Sequence, residues 1–167
     1  MRSPAKAQDE TRPIQVPELA RLRDDWETWR GSAALPQRSA LNPLALTYCL
    51  PNLALVDIER EPFRPRYRLV GTRLVDLWGR ELRGRYVDEV YRFPVRSEVL
   101  AAYRKVVTTG EPLYNERLFN LGFRRLGYQR LMLPLTAGGD SVDQVVLAIY
   151  PSDRRIRVRA DWKDLAE

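Results

Sequence analysis

Histidine is absent from this sequence, and cysteine occurs only once, at Cys49. Without histidine the chain lacks the most common general base and the most common metal and haem ligand in proteins. No Ser-His-Asp triad or Cys-His dyad can form. A single cysteine allows no intramolecular disulfide, which suits a reducing compartment, and it is too few for a zinc site of cysteines and histidines. We therefore predict a protein that is not an enzyme and that binds no metal.

Long apolar runs are absent as well. No segment approaches the length of a membrane span, and residues 1–16 lack the apolar block of a signal peptide. These sixteen residues mix charges with prolines, and we expect a disordered leader there. Gly138 and Gly139 lie between two apolar segments and indicate a hairpin turn, because no Gly-Lys-Ser/Thr follows them to form a phosphate-binding loop. The prediction is a cytoplasmic protein.

Charge gives one further functional alternative. The net charge is +6, from 28 basic and 22 acidic residues, and the densest basic stretch contains Arg154, Arg155, Arg157 and Arg159. Such a stretch can bind nucleic acid, although no recognition helix or aromatic stacking platform accompanies it. Runs of charge usually stay solvated. We interpret 152–167 as a charged tail and keep nucleic-acid binding as a third-ranked alternative.

The segment from Pro17 to Gly31 has helical periodicity, with proline suited to the first turn and glycine to the end. Its apolar positions recur at intervals of three, four and three: Leu19, Leu22, Trp26 and Trp29. Two tryptophans on so short a helix need a large apolar partner. That partner is either the chain's own sheet or the same helix of a second subunit, in which case these four side chains form a homodimer interface.

The rest of the pattern predicts two strands, short helical pieces, one long helix and three more strands. Helices are expected at 72–78 and 94–109, and strands at 53–58, 66–70, 113–119, 126–136 and 142–150. Tyr67 and Leu69 should share one face of the second strand, and the two prolines in 59–65 argue against a ladder there. The last two strands are apolar on both faces, so we expect both faces of the sheet to be covered, one of them by the tryptophan helix.

Several short motifs lie along this order of elements. They are Leu50-Pro51-Asn52-Leu53, Tyr67-Arg68-Leu69-Val70-Gly71-Thr72, Gly79, Gly84-Arg85, Gly110 and Leu133-Pro134-Leu135. Together the order and the motifs resemble the compact stand-alone PAS-domain proteins common in alphaproteobacteria, over about residues 17–150. The resemblance implies an α+β fold. It would be a five-stranded antiparallel sheet with helices on one face, an additional N-terminal amphipathic helix over 17–31, and a PAS domain over 32–151.

The resemblance also implies a function and limits the cofactors. PAS proteins of this type are bacterial signal-transduction modules that sense a small molecule or dock on a signalling partner, often as homodimers, and they bring no catalytic residues. Flavin-photosensing PAS domains carry a cysteine on the helix after the second strand, and Asp76–Arg80 has none. Haem-binding ones usually offer a histidine from the long helix, which is also lacking here. We expect neither a cysteinyl-flavin nor haem, which leaves room for an unidentified small molecule.

A PAS ligand would lie between the sheet and the helices. The candidate ligand-binding residues are Arg68, Leu69, Trp78, Tyr103, Tyr128, Arg130 and Met132. Small-molecule sites are mostly apolar with a few placed polar groups, and an arginine fork binds carboxylate or phosphate in a bidentate manner. The plainer interpretation is that the aromatic residues are core and that Arg68 is an exposed, ion-paired residue.

Two main functions are therefore compatible with the sequence. The first is a sensory module that binds a small ligand and acts through a protein partner. The second is a ligand-free dimerisation and interaction adaptor. The sequence does not decide which strand faces line a cavity, or whether the N-terminal helix packs on its own sheet or across a dimer.

Overall fold

In a computed structural model of the protein, the described residues are 13–121 and 124–152, with the backbone alone described for 118–121 and 124–126. Most of the expected leader, and the basic stretch that begins at Arg154, lie outside the described residues. The helices are α1 (Pro17–Arg30), α2 (Thr72–Trp78), α3 (Val87–Val90) and α4 (Val95–Thr109). The strands are β1 (Leu53–Arg60), β2 (Phe63–Val70), β3 (Leu113–Leu121), β4 (Arg124–Leu135) and β5 (Gln144–Pro151).

The five strands form one antiparallel sheet in the order β2-β1-β5-β4-β3, which confirms the predicted fold. Side chains alternate between its two faces, and each face carries its own core. On β4, Tyr128 and Met132 belong to the core that α2, α3 and α4 cover, which we call the front face. Leu131 and Leu133 belong to the core that α1 covers, the back face. No helix in the described part of the chain is long and apolar enough to cross a membrane.

α1 covers the back face in the way that its apolar stripe predicts. Leu19 and Leu22 are fully buried and Trp26 is 1% exposed, in one cluster with residues of β4 and β5. The indole Nε1 of Trp26 donates a hydrogen bond to the carbonyl oxygen of Pro134 at 2.8 Å, so its polar atom is satisfied inside the core. Tyr48 also contacts α1, because its hydroxyl donates a hydrogen bond to Oδ2 of Asp25 at 2.6 Å.

The structure corrects the expected start of the second strand. β2 begins at Phe63, and Pro65 lies opposite Ile58 in the ladder, although the two prolines argued against pairing there. The physical reason is that β2 is an edge strand. A proline on an edge need not donate an amide to a second neighbour, so the ladder tolerates it.

An irregularity in the pairing of β1 with β2 decides on which face of the sheet each side chain of β2 lies. Leu55 lies opposite Leu69, whereas the next residue, Val56, lies opposite Tyr67. An extra residue in one strand moves the side chains beyond it to the other face. Tyr67 is buried in the front core, whereas Leu69 lies on the back face beside Leu55, so the expectation that they share a face is wrong.

A bidentate ion pair ties β2 to α3. Arg64 donates from Nε to Oδ2 of Asp88 at 2.9 Å and from Nη2 to Oδ1 at 2.8 Å. Parallel hydrogen bonds of this kind are the strongest form of such pairs. They hold the pKa of the Asp88 carboxyl below its usual value, against the opposing effect of partial burial.

We expect the Asp88→Asn variant to melt about 1–4 °C below the wild type at neutral pH, the range for a partly exposed pair in a domain of this size. A carboxyl whose pKa is lowered by folding stabilises the fold above its unfolded pKa, and that stability is lost as the pH falls through the folded value. The difference in melting temperature should therefore shrink below about pH 4. Thermal melts of both proteins from pH 7 to pH 3 check this, and a difference that grows on acidification would contradict it.

Candidate functional site

Four tyrosines meet in the front core, and we call them the tyrosine cluster. β2 supplies Tyr67, the residue after α3 is Tyr91, α4 supplies Tyr103 and β4 supplies Tyr128. The hydroxyls of Tyr67 and Tyr103 are buried, and neither forms a hydrogen bond of good geometry with the described residues. Burial raises the pKa of both phenols, so they stay protonated and can donate.

Two arginines reach the same core from the neighbouring strands β3 and β4. Arg117 is buried and forms an ion pair with Glu98 of α4. Arg130 is only 3% exposed, and its Nε donates to Oδ1 of Asn115 at 3.1 Å. Within the described part of the chain no carboxylate pairs with Arg130. Its charge lies close to the cluster, since it partly offsets the rise that burial causes in the pKa of Tyr103.

Five of the seven predicted ligand-binding residues lie together in this core. Tyr103, Tyr128 and Arg130 belong to the polar part just described. Trp78 and Met132 are buried beside it, and the Trp78 ring meets the ring of Tyr91 edge to face at a centroid distance of 6.3 Å. The front face is thus an aromatic core with buried polar groups, the composition expected of a small-molecule site.

The other two predicted residues lie elsewhere. Arg68 and Leu69 are exposed and line a groove on the back face, because the irregularity in β2 turns this end of the strand away from the front core. Arg68 is 3.5 Å from Oδ2 of Asp57, which matches its plainer interpretation as an exposed, ion-paired residue. The structure therefore does not bring these two residues to the tyrosine cluster.

Two further residues of the site were not predicted from the sequence. Asn115 and Arg117 were not among the candidate residues. They lie two and four positions after the apolar Leu113 on the same strand, and alternation therefore places all three on one face of the sheet. In the ladder Asn115 lies opposite Arg130 and Arg117 lies opposite Tyr128, so this signal was available. No pattern in the sequence placed Tyr67 in the site, since the alternation of side chains does not reveal a β-bulge.

The helices limit access to the cluster. Trp78, Tyr103 and Met132 are each at most 5% exposed. A ligand that contacts the phenols must therefore be enclosed by the protein, and α2 or α4 must move from the sheet for it to enter.

The predicted dimer-interface residues occupy the back core. Leu19, Leu22 and Trp26 are buried by the chain's own sheet, and Trp29 is half-buried at the edge of the same cluster. A homodimer that used these side chains would require α1 to leave this sheet, for instance by exchange onto the sheet of a second subunit.

The single cysteine lies on the wrong face for flavin chemistry in the front core. Cys49 is fully buried in the back core, and burial raises the pKa of its thiol to about 11. A flavin enclosed among α2, α3 and α4 would have the sheet between it and this thiol. The residues present therefore do not fit a cysteinyl adduct at that site. No group of three or more potential metal ligands occurs among the described residues.

Comparisons with known proteins agree with the fold described above. A family model described as a PAS domain matches residues 14–149. A search of curated proteins by sequence found no relative.

Similar solved structures include light-oxygen-voltage domains. One, studied with a flavin analogue, is 16% identical, with a TM-score of 0.50, and the match covers 66% of this chain and 84% of that one. A light-oxygen-voltage protein of Rhodobacter sphaeroides is 15% identical, with a TM-score of 0.48, and the match covers 64% of this chain and 62% of that one. At these identities the likeness concerns the fold alone.

Proposed function

Because this chain belongs to the PAS domain family, we propose that it is a sensory module that encloses a small anionic ligand in the front core and acts through a protein partner. One observation carries the proposal. Arg130 is a buried cation with no carboxylate partner among the described residues, and the unsatisfied hydroxyls of Tyr67 and Tyr103 lie in the same core.

The energetics of burial favour an anion as the ligand of Arg130. A buried charge is costly unless it is paired and hydrogen-bonded, and each buried polar group without a partner costs about 1–3 kcal/mol. The amide oxygen of Asn115 gives Arg130 one hydrogen bond and no compensating charge. A carboxylate or phosphate would supply that charge and would accept hydrogen bonds from both phenols.

The same contacts suggest how binding would change the protein. Tyr67 is on β2, Tyr103 is on α4 and Arg130 is on β4, so one ligand would join three elements. A ligand that binds the closed arrangement better than the open one shifts the population towards it. The phenols stay protonated in this core, so both can donate hydrogen bonds to the ligand.

The second candidate is a ligand-free adaptor that dimerises. It is favoured by the apolar stripe of α1, which includes the half-buried Trp29 and could be exchanged between subunits. Under this alternative the aromatic residues of the front core, such as Trp78 and Tyr103, serve packing only.

We expect wild-type protein purified without added ligand to carry a reproducible extra mass of a few hundred daltons in a native mass spectrum. The Tyr103→Phe variant should bind that compound about 10–100-fold more weakly, because it lacks one hydrogen bond to a charged group. Its ligand-free stability should be unchanged or higher, since a hydroxyl without a partner is removed. Titration calorimetry and denaturant unfolding measure the two effects.

The matched control is Tyr150→Phe, which alters a half-buried tyrosine of the back core and should leave binding unchanged. Protein without extra mass, and with no stabilisation by a panel of small carboxylates and phosphates, would contradict ligand sensing. If that protein were also a dimer, the adaptor would be the better account. A monomer would argue against the exchanged α1 helix.

A further inference from the structure

The back face is covered unevenly. α1 packs over β4 and β5, whereas the part formed by β1 and β2 carries two adjoining pockets of about 500 and 480 Å³. We call the second pocket the arginine groove. It shares one wall with the first pocket. Its lining residues are Arg38, Leu41, Pro43, Leu55, Arg68, Leu69, Arg83 and Leu135.

Exposed apolar side chains concentrate beside this groove. The four large apolar side chains most exposed among the described residues are Leu44, Leu50, Leu69 and Phe93. Leu69, at 52% exposure, lies in the groove, Leu50 lies in the adjoining pocket, and Leu44 follows the groove residue Pro43 at 82% exposure. Single exposed apolar residues are ordinary, but a contiguous patch rimmed by polar residues marks an interaction surface.

The rim of the groove is positively charged. The side chains of Arg38 and Arg83 form no ion pair within the described residues, and Arg68 reaches Asp57 only at 3.5 Å. In the adjoining pocket the single acidic residue of the lining is Glu81, whose carboxylate accepts a hydrogen bond from the backbone amide of Arg83. Three guanidinium groups around an apolar floor are complementary to a negatively charged amphipathic partner.

A partner should dock through its side chains, because part of the exposed edge of β2 is already hydrogen-bonded within the chain. The Tyr67 amide donates to the Arg85 carbonyl oxygen at 2.9 Å, and the Gly84 amide donates to the Tyr67 carbonyl oxygen at 2.7 Å. Strand addition at this point of β2 is therefore blocked by the chain itself. An amphipathic helix instead places apolar side chains at helical spacing into a groove and needs no free backbone groups.

The charge and the open shape of the groove also argue against two other occupants, a second copy of the chain and a small amphiphile. A second copy seated by a two-fold axis would bring the three arginines of each groove together, and like charges across an interface are costly. A small amphiphile needs most of its surface enclosed, whereas this groove is open along β1 and β2. A segment of another protein with acidic and apolar residues suits both the charge and the open form.

We propose that the arginine groove is the docking surface for an acidic amphipathic helix of a partner protein. The helix places leucine-like side chains on Leu55 and Leu69 and carboxylates on Arg38, Arg68 and Arg83. This inference rests on the partner part of the proposed function and names the surface that serves it. Tyr67 lies in the front core and is two residues from Leu69 on the same strand, so β2 connects the front core to the groove.

Site-specific photo-crosslinking tests the proposal in cells that naturally express the protein. A photoreactive phenylalanine replaces Leu69 in one protein and Arg92, an exposed arginine outside the groove, in the control. We expect a crosslink to another protein from position 69 only, and the crosslinked peptide should be rich in Asp, Glu and Leu. The double substitution Arg38→Glu/Arg83→Glu should reduce the yield at least 10-fold, while the Arg92→Glu substitution leaves it unchanged.

Each other outcome overturns the docking proposal. A crosslink to a second copy makes the groove a homodimer contact, and an adduct of a few hundred daltons makes it a small-molecule site. No crosslink, a peptide without acidic residues, or a yield that survives charge reversal also rejects it. Ligand binding in the front core is measured separately with the Tyr103→Phe variant, so failure of the groove leaves that result standing.

Discussion

Replacing Trp26 with alanine is expected to destabilise the protein by about 3–5 kcal/mol, the usual cost of removing a large buried aromatic side chain. The side chain is 1% exposed, lies in the back core and donates to the carbonyl oxygen of Pro134. Its loss leaves a cavity under α1 and an unsatisfied carbonyl group on β4. With a total stability of about 5–15 kcal/mol for ordinary proteins, such a change is a large fraction of the whole. Denaturant unfolding measures it.

Trp29→Ala is the matched control, since it removes the same side chain from the same helix. Trp29 is half-buried at the edge of the back core, so we expect a loss of about 1 kcal/mol, the centre of the distribution for single substitutions. The comparison also tests where α1 packs. If the helix instead joined two subunits, Trp26→Ala would give stable monomers, and an unfolding free energy close to that of the wild type would contradict the packing described above.

The second large effect is expected at Gly71, where a single methyl group should cost at least the roughly 1–3 kcal/mol typical of overpacking. A Cβ atom built there lies 2.5 Å from the carbonyl oxygen of Leu50 and still closer to that of Pro51. Both obstacles are backbone atoms, which cannot rotate away. The Gly71 amide also donates to the Leu53 carbonyl oxygen at 2.6 Å, so the segment is held on both sides. We expect Gly71→Ala to lower the melting temperature clearly.

Gly139→Ala is the control for that prediction. Gly139 lies in the turn before β5, and a Cβ atom there meets no other atom within 4 Å. The substitution adds the same methyl group without a clash, so stability should change by less than about 0.5 kcal/mol, as for ordinary surface changes. Equal losses at the two positions would show that close approach at Gly71 is not the cause. The close approach of the Leu50 and Pro51 carbonyl oxygens explains why a glycine follows the Tyr-Arg-Leu-Val motif.

Much of the fold follows from patterns that are local in the chain. The spacing of Leu19, Leu22 and Trp26 predicts α1, and Gly79 and Gly110 end α2 and α4 with positive φ angles of 68° and 66°. A glycine adopts this conformation without the steric cost that a Cβ atom brings. Apolar residues on both faces of β4 and β5 predict two covers for the sheet, and the structure supplies both.

The candidate site was predicted less completely, since it depends on which residues face one another across the sheet. Trp78, Tyr103 and Arg130 could be named from their elements and the resemblance. Tyr67 could not be named in this way. The irregularity beside Leu55 moves the side chains of β2 to the opposite face of the sheet, so alternation does not predict the faces of the residues beyond it.

The sequence alone thus determined the elements, their ends and the need for two apolar covers, since helical and strand periods and glycine conformations act over a few residues. Only the tertiary structure decided that α1 covers its own sheet. It also decided that Arg130 meets the tyrosine cluster and that Arg68 and Leu69 border a separate groove. These outcomes rest on strand pairing and register between residues far apart in the chain, which no local pattern encodes.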